Sequence, residues 1–93
     1  VPTIEVEGFY FNEGNEAKLA SHGVSIHEAY QVLWTRPRAL RNHSDGAPWV
    51  LIGPTASGRM ITLPIDPTDE PGIWRPRTGY DSSRKERRRY ARE

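Results

Sequence analysis

Cysteine is missing from all 93 residues, which removes disulfides and thiolate metal sites and is compatible with a reducing compartment. No run approaches the roughly 18–20 consecutive apolar residues that a membrane-crossing helix needs. Val1 to Phe11 lacks the basic-then-apolar order of a secretory signal. A cytoplasmic location with no membrane partner is the expectation. Grouped metal donors are also missing. His22 and His27 lie five apart, but Gly23 breaks the helix between them, so they share no face and no zinc site is expected. No serine sits in a nucleophile-elbow sequence, and no internal repeat is present. The expectation is a protein without metal or cofactor.

What is present suits one small domain, residues 1–93. Apolar residues make up 35% of the chain and charged residues 27%, enough for one modest core but not for two. Eight glycines and eight prolines imply many turns. The net charge of +1 conceals a gradient. Residues 1–33 carry five acids and one lysine, residues 34–73 carry four of each sign, and residues 74–93 carry eight bases against three acids. A local field of that kind attracts polyanions whatever the average charge.

Along the chain, residues 4–11 begin with the apolar–polar alternation of a half-buried strand. Asn15 is expected to cap a helix over 16–22, closed by Gly23 in the left-handed C′ position. Ser25 and Glu28 have capping-box spacing for a second helix. Its stripe of Ile26, Ala29, Tyr30 and Leu33 should face a sheet, and Pro37 should end it near Thr35. Residues 38–47 read as a polar strand and a loop with turn chemistry at 42–46. Trp49 to Ile52 and Met60 to Ile65 read as paired strands, with Pro64 marking a frayed or free edge. The last strand is expected over 73–80, with Arg75 and Arg77 on one face and Trp74 and Tyr80 on the other. Ser83 and Glu86 form another capping box. They open a basic helix, within 83–93, whose apolar stripe is so thin that it should fray or lean on a partner.

Gly53 to Met60 comes close to a phosphate-binding loop. Arg59 stands where the lysine belongs and Met60 where the hydroxyl belongs, and a strand follows instead of a helix N-terminus. A tight hairpin is the better reading.

The remaining chemistry is arginine-rich. Guanidinium groups are permanently charged and bind oxyanions bidentately. Arg75, Arg77 and Arg59, with Arg84 and Lys85 at the following helix start, are candidates to surround one phosphodiester. Metal-free RNA cleavage needs cations of this kind, a base for the attacking 2′-hydroxyl and an acid for the leaving oxygen. Tyr80 and His22 are the proton-transfer candidates, with Glu86 secondary to its cap role. Arg36 is a candidate for a flanking phosphate.

Three segments in register carry a family resemblance. Asn12 to Ser25, followed by Glu28 and Val32-Leu33, resembles the helical hairpin of BrnT-like toxins, with its His-Gly-Val-Ser turn. Trp49 to Ile52 with Ala56-Ser57-Gly58-Arg59 resembles their strand, small turn and Gly-Arg. Arg84-Lys85-Glu86-Arg87-Arg88-Arg89-Tyr90 resembles their closing helix. The resemblance implies an α+β, RelE-like fold with two N-terminal helices on a three- to four-stranded antiparallel sheet and a short C-terminal helix. It further implies a type II toxin–antitoxin component that cleaves mRNA without metal and inhibits translation. Its partners would be RNA and a masking antitoxin, with oligomers formed only in the toxin–antitoxin complex. Two departures stand out. Ser21 precedes His22 in place of the family lysine, and Thr78-Gly79-Tyr80 replaces a Ser-Ala-Arg segment. The arginine tied to catalysis is thereby replaced by Tyr80. A non-catalytic inhibitor of the RelE/ParE fold, binding a protein or RNA without cutting it, is the alternative.

Overall fold

A computed structural model describes residues 4–42 and 46–92. Among these the order is β1 (Gly8–Phe9), α1 (Glu13–Ser21), α2 (Ile26–Thr35), β2 (Arg38–Arg41), β3 (Trp49–Pro54), β4 (Met60–Pro67), β5 (Ile73–Pro76), β6 (Tyr80–Asp81) and α3 (Arg84–Arg92). This is a small α+β arrangement. The six described strands form one mixed sheet, in the order β1-β5-β4-β3-β2, with β6 pairing β4 beyond the end of β5.

The helical hairpin follows from local chemistry. Ser25 Oγ accepts from Glu28 N at 3.0 Å and the Glu28 carboxylate accepts from Ser25 N at 3.1 Å, completing the expected box. Gly23 has φ +73°, the left-handed geometry that a side chain resists. The start of α1 differs from expectation: Asn12, not Asn15, is the N-cap. Asn15 sits at N3, where its Oδ1 accepts from Asn12 N at 2.7 Å and its backbone N donates to Asn12 Oδ1 at 3.0 Å. Its Nδ2 donates to Tyr10 O and Pro76 O. Every polar atom of this buried side chain is satisfied, and it ties α1 to the end of β5.

Alternation along the strands produces two cores. Leu51, Ile61, Leu63 and Ile65 point toward α1 and α2, meeting Leu19, Val24, Ala29 and Val32. Leu40, Val50 and Ile52 point the other way, where Met60 and Tyr90 pack on them. The β3–β4 hairpin turns through Gly58 at φ +89°, which bears out the hairpin reading over the phosphate loop. Three expectations need correction. The N-terminal strand is only two residues long and runs parallel to β5, so the sheet is not wholly antiparallel. Glu7 and Gly8 both donate to Gly72 O, which pinches the ladder where a longer strand would begin. Pro64 leaves no frayed end either, since β4 continues to Pro67 in the middle of the sheet. Of the turn expected over 42–46, His43, Ser44 and Asp45 lie outside the described residues.

The last strand is interrupted because of Pro64. Arg77 N donates to Pro64 O at 2.8 Å, but proline has no N–H to return the bond, so the ladder is half made there. Asp66 pairs Arg75 and Thr62 pairs Tyr80. Four steps along β4 therefore match five on the other side, and the extra residue is a bulge at 78–79. Its phase shift turns Tyr80 to the same sheet face as Arg75, correcting the expectation that they would lie on opposite faces. Gly79 fits because a Cβ there would stand 2.7 Å from Leu63 Cδ2. The bulge has a cost: Thr78 Oγ1 is buried without a partner among the described residues, worth about 1–3 kcal/mol.

α3 is docked on the sheet over Arg84–Arg92, contrary to the expectation of fraying. Ser83 and Glu86 complete the cap, with Ser83 N donating to Glu86 Oε1 at 2.8 Å. Tyr90 OH donates to Arg36 O at 2.6 Å and Arg89 Nη2 to Arg41 O at 3.0 Å. Polar anchors do what the thin apolar stripe cannot.

Candidate functional site

Two residues far apart in sequence meet at the β6 edge. The rings of His22, at the end of α1, and Tyr80, on β6, have centroids 6.1 Å apart and cross at 72°. Tyr80 OH lies 3.3 Å from Glu86 Oε2 on α3. Burial first, and then the Glu86 charge and hydrogen bond, push the Tyr80 phenol up to about 12. At neutral pH it is a protonated donor and not a base.

Arg59 stands beside this pair. Its Nε donates to Asp81 Oδ1 at 2.6 Å, and its Nη1 to Gly23 O at 2.8 Å and Glu28 Oε2 at 3.0 Å. Gly23 follows His22 in sequence and Asp81 follows Tyr80, so one guanidinium clasps the chain just beyond both rings. Nη2 makes no bond among the described residues. The Asp81 carboxyl is held below the usual carboxylate range by the Arg59 hydrogen bond. Glu28 is held low first by the Ser25 backbone N–H and then by Arg59. The Arg59 guanidinium is itself raised, chiefly by Asp81.

Arg75 and Arg77 belong to a different cluster. Asp66 accepts two bonds from Arg77, Nε at 3.0 Å and Nη2 at 2.9 Å, and Arg75 Nη2 lies 4.0 Å from the same carboxylate. Asp66 raises the Arg77 guanidinium through that bidentate bond. Along β4, Asp66 is four residues from Thr62, the partner of Tyr80, which at about 3.3 Å per residue is roughly 13 Å. Arg75 and Arg77, both turned to Asp66, therefore do not share a phosphate-sized site with Tyr80 and His22. The expectation that Arg59, Arg75, Arg77, Arg84 and Lys85 surround one phosphodiester resolves into two groups. Arg84 and Lys85 are exposed on the first turn of α3, the turn that supplies Glu86. Arg36 lies at the C-cap of α2, remote from the His22–Tyr80 pair and under Tyr90.

Sequence reasoning missed Asp66 and Asp81, the carboxylates that decide which arginines are occupied. Neither lies near its partner in sequence, so no local pattern marks them. A hollow of about 480 Å³ adjoins the clasp, but Glu16 and Glu28 line it, the wrong charge for phosphate. Among the described residues no three His, Asp or Glu are grouped as metal donors, and no helix is long and apolar enough to cross a membrane. Comparison of the sequence with protein-family models and with curated proteins found no match.

Proposed function

We propose that this protein is the toxin of a type II toxin–antitoxin pair, a RelE-like endoribonuclease that cuts mRNA without metal and so inhibits translation. The observation that supports it best is the meeting of imidazole, phenol and guanidinium at the β6 edge. In this reading His22 removes the proton from the RNA 2′-hydroxyl, whose oxygen attacks phosphorus and closes a 2′,3′-cyclic phosphate. Tyr80, held protonated, gives its proton to the leaving 5′-oxygen. Arg59 Nη2 is directed at the charge that develops on the phosphorane. Arg84 and Lys85 hold adjacent phosphates, and Arg75, Arg77 and Arg36 contact more distant ones. The same basic surface is the one an antitoxin would cover.

Incubation of the purified protein with RNA in EDTA tests the reading. His22→Ala and Tyr80→Phe should each slow cleavage by about 10²-fold or more, the usual loss for a proton-transfer group. Arg77→Ala and Arg75→Ala should each cost less. No cleavage by the wild type, or equal cleavage by all variants, rejects it. The competing reading is a non-catalytic inhibitor of the same fold, and the Asp66 clamp favours it because it occupies two of the expected phosphate ligands. Growth inhibition that survives Tyr80→Phe and His22→Ala, with RNA intact, would establish it.

A further inference from the structure

The opposite end of the sheet carries arginines with no ion pair among the described residues. Arg38 Cζ sits 5.5 Å from the Tyr90 ring centroid, and Arg41 Cζ 5.0 Å from that of Trp49. Arg89 Nη2 donates to the Arg41 carbonyl, and Tyr90 OH to the Arg36 carbonyl. Among the described residues the ion pairs involve Arg59, Arg75 and Arg77, and none involves Arg36, Arg38, Arg41 or Arg89. Carbonyls and aromatic faces fix a guanidinium but leave its full charge. A carboxylate would cancel it.

We infer that Arg36, Arg38 and Arg89 form, with the exposed side of α3, a second, non-catalytic binding surface for single-stranded RNA; Arg41, paired with Trp49, belongs to the opposite face of the sheet. The Arg38 guanidinium, backed by the Tyr90 ring, offers a plane on which a base stacks, and Arg36 and Arg89 add charge for the backbone phosphates. The placement is suitable. Tyr80, Thr62, Ile52 and Arg38 are successive cross-strand partners in one row across the sheet. Three steps of about 4.8 Å place Arg38 roughly 14 Å from Tyr80. α3 spans that row, bonding Tyr80 through Glu86 at one end and backing Arg38 with Tyr90 at the other. Its exposed Arg84, Lys85 and Arg88 make a basic ridge between the two.

A protein strand added to β2 suits this edge less well. Asn42 N donates inward to Pro48 O, so the two-residue period leaves Ala39 and Arg41 with outward backbone groups. Arg89 already occupies the Arg41 carbonyl, and charged side chains guard the rest.

The surface rests on RNA being the ligand, as in the proposed function, but not on cleavage. Fluorescence anisotropy with a short 2′-O-methyl RNA, which lacks the attacking hydroxyl, separates the two. Arg36→Gln/Arg38→Gln should weaken binding about tenfold or more, and the slope of log affinity against log salt should fall by about 1.4 for two lost contacts. Arg38→Lys should keep the slope but lose affinity through lost stacking. Binding by the glutamine pair that matches wild type in affinity and slope overturns the inference. So does an acidic peptide of equal charge bound as tightly as the RNA. Parallel incubation with unmodified RNA reports on the catalytic reading alone: intact binding without cleavage sinks that reading and leaves this surface standing.

Discussion

Arg59 and Arg77, at the two ends of β4, and Arg38 and Arg89, at β2 and α3, are all immobilised, but by different acceptors. The first two end on carboxylates; the second two end on a ring and a carbonyl. The first kind of contact spends the charge on the fold, whereas the second preserves it for a ligand. A count of basic residues therefore overstates the field at β5 and describes it fairly along α3 and β2. The comparison also places Arg59 in an intermediate class, because its clasp holds the chain beside His22 and Tyr80 while leaving one nitrogen unused.

The largest contrast expected is in stability. Arg59→Ala removes bonds that join the α1–α2 turn, α2 and β6, and should cost on the order of 1 kcal/mol after allowance for solvent exposure. Arg88→Ala, at an exposed position with no such bonds among the described residues, should stay within about 0.5 kcal/mol. Urea unfolding followed by circular dichroism measures both. Equal losses would erase the distinction between arginines that hold the fold and arginines that face outward.

The helical hairpin was legible because its signals are local. Ser25 with Glu28 and Ser83 with Glu86 each close a loop of three residues, and Gly23 needs only its own backbone angle. The start of α1 was misread by three residues because Asn15 takes the N3 role that glutamate or glutamine usually fills. The face of Tyr80 could not be read by alternation at all. It depends on Pro64 withholding a hydrogen bond from a strand thirteen residues away in sequence, and on Gly79 fitting against Leu63. The basic character of the C-terminal stretch was plain, and so were His22 and Tyr80 as reactive types. Which arginines remain available is set by cross-strand register, through Asp66 and Asp81, and nothing local to those residues announces it.

A smaller effect follows from freeing the Asp66 pair. Asp66→Asn keeps the shape of the side chain but removes the charge that holds Arg77 and faces Arg75. Affinity for the short 2′-O-methyl RNA should rise about two- to fivefold, with a steeper salt dependence because more phosphates are engaged. An unchanged affinity would mean that β5 does not face the RNA, leaving α3 and β2 as the whole of the binding surface.

The smallest effect is a pH dependence that tells the two kinds of arginine apart. Asp81 and Glu28 have folded-state values below those of ordinary carboxylates. The unfolded chain therefore binds more protons as pH falls through the window beneath about 4, so stability rises with pH across it. The contribution is present above the unfolded-state value and is lost as pH drops through the folded one. Arg59 is the first cause of the shift at Asp81 but is secondary to the Ser25 N–H at Glu28. Arg59→Gln should accordingly flatten the acid limb of the stability curve without abolishing it, the Glu28 share surviving. Arg88→Gln should leave that limb parallel to wild type. Urea midpoints measured across the acid range decide the matter. Parallel curves for all three proteins would show that the Arg59 contacts do not persist in solution, and the clasp beside His22 and Tyr80 would have to be abandoned.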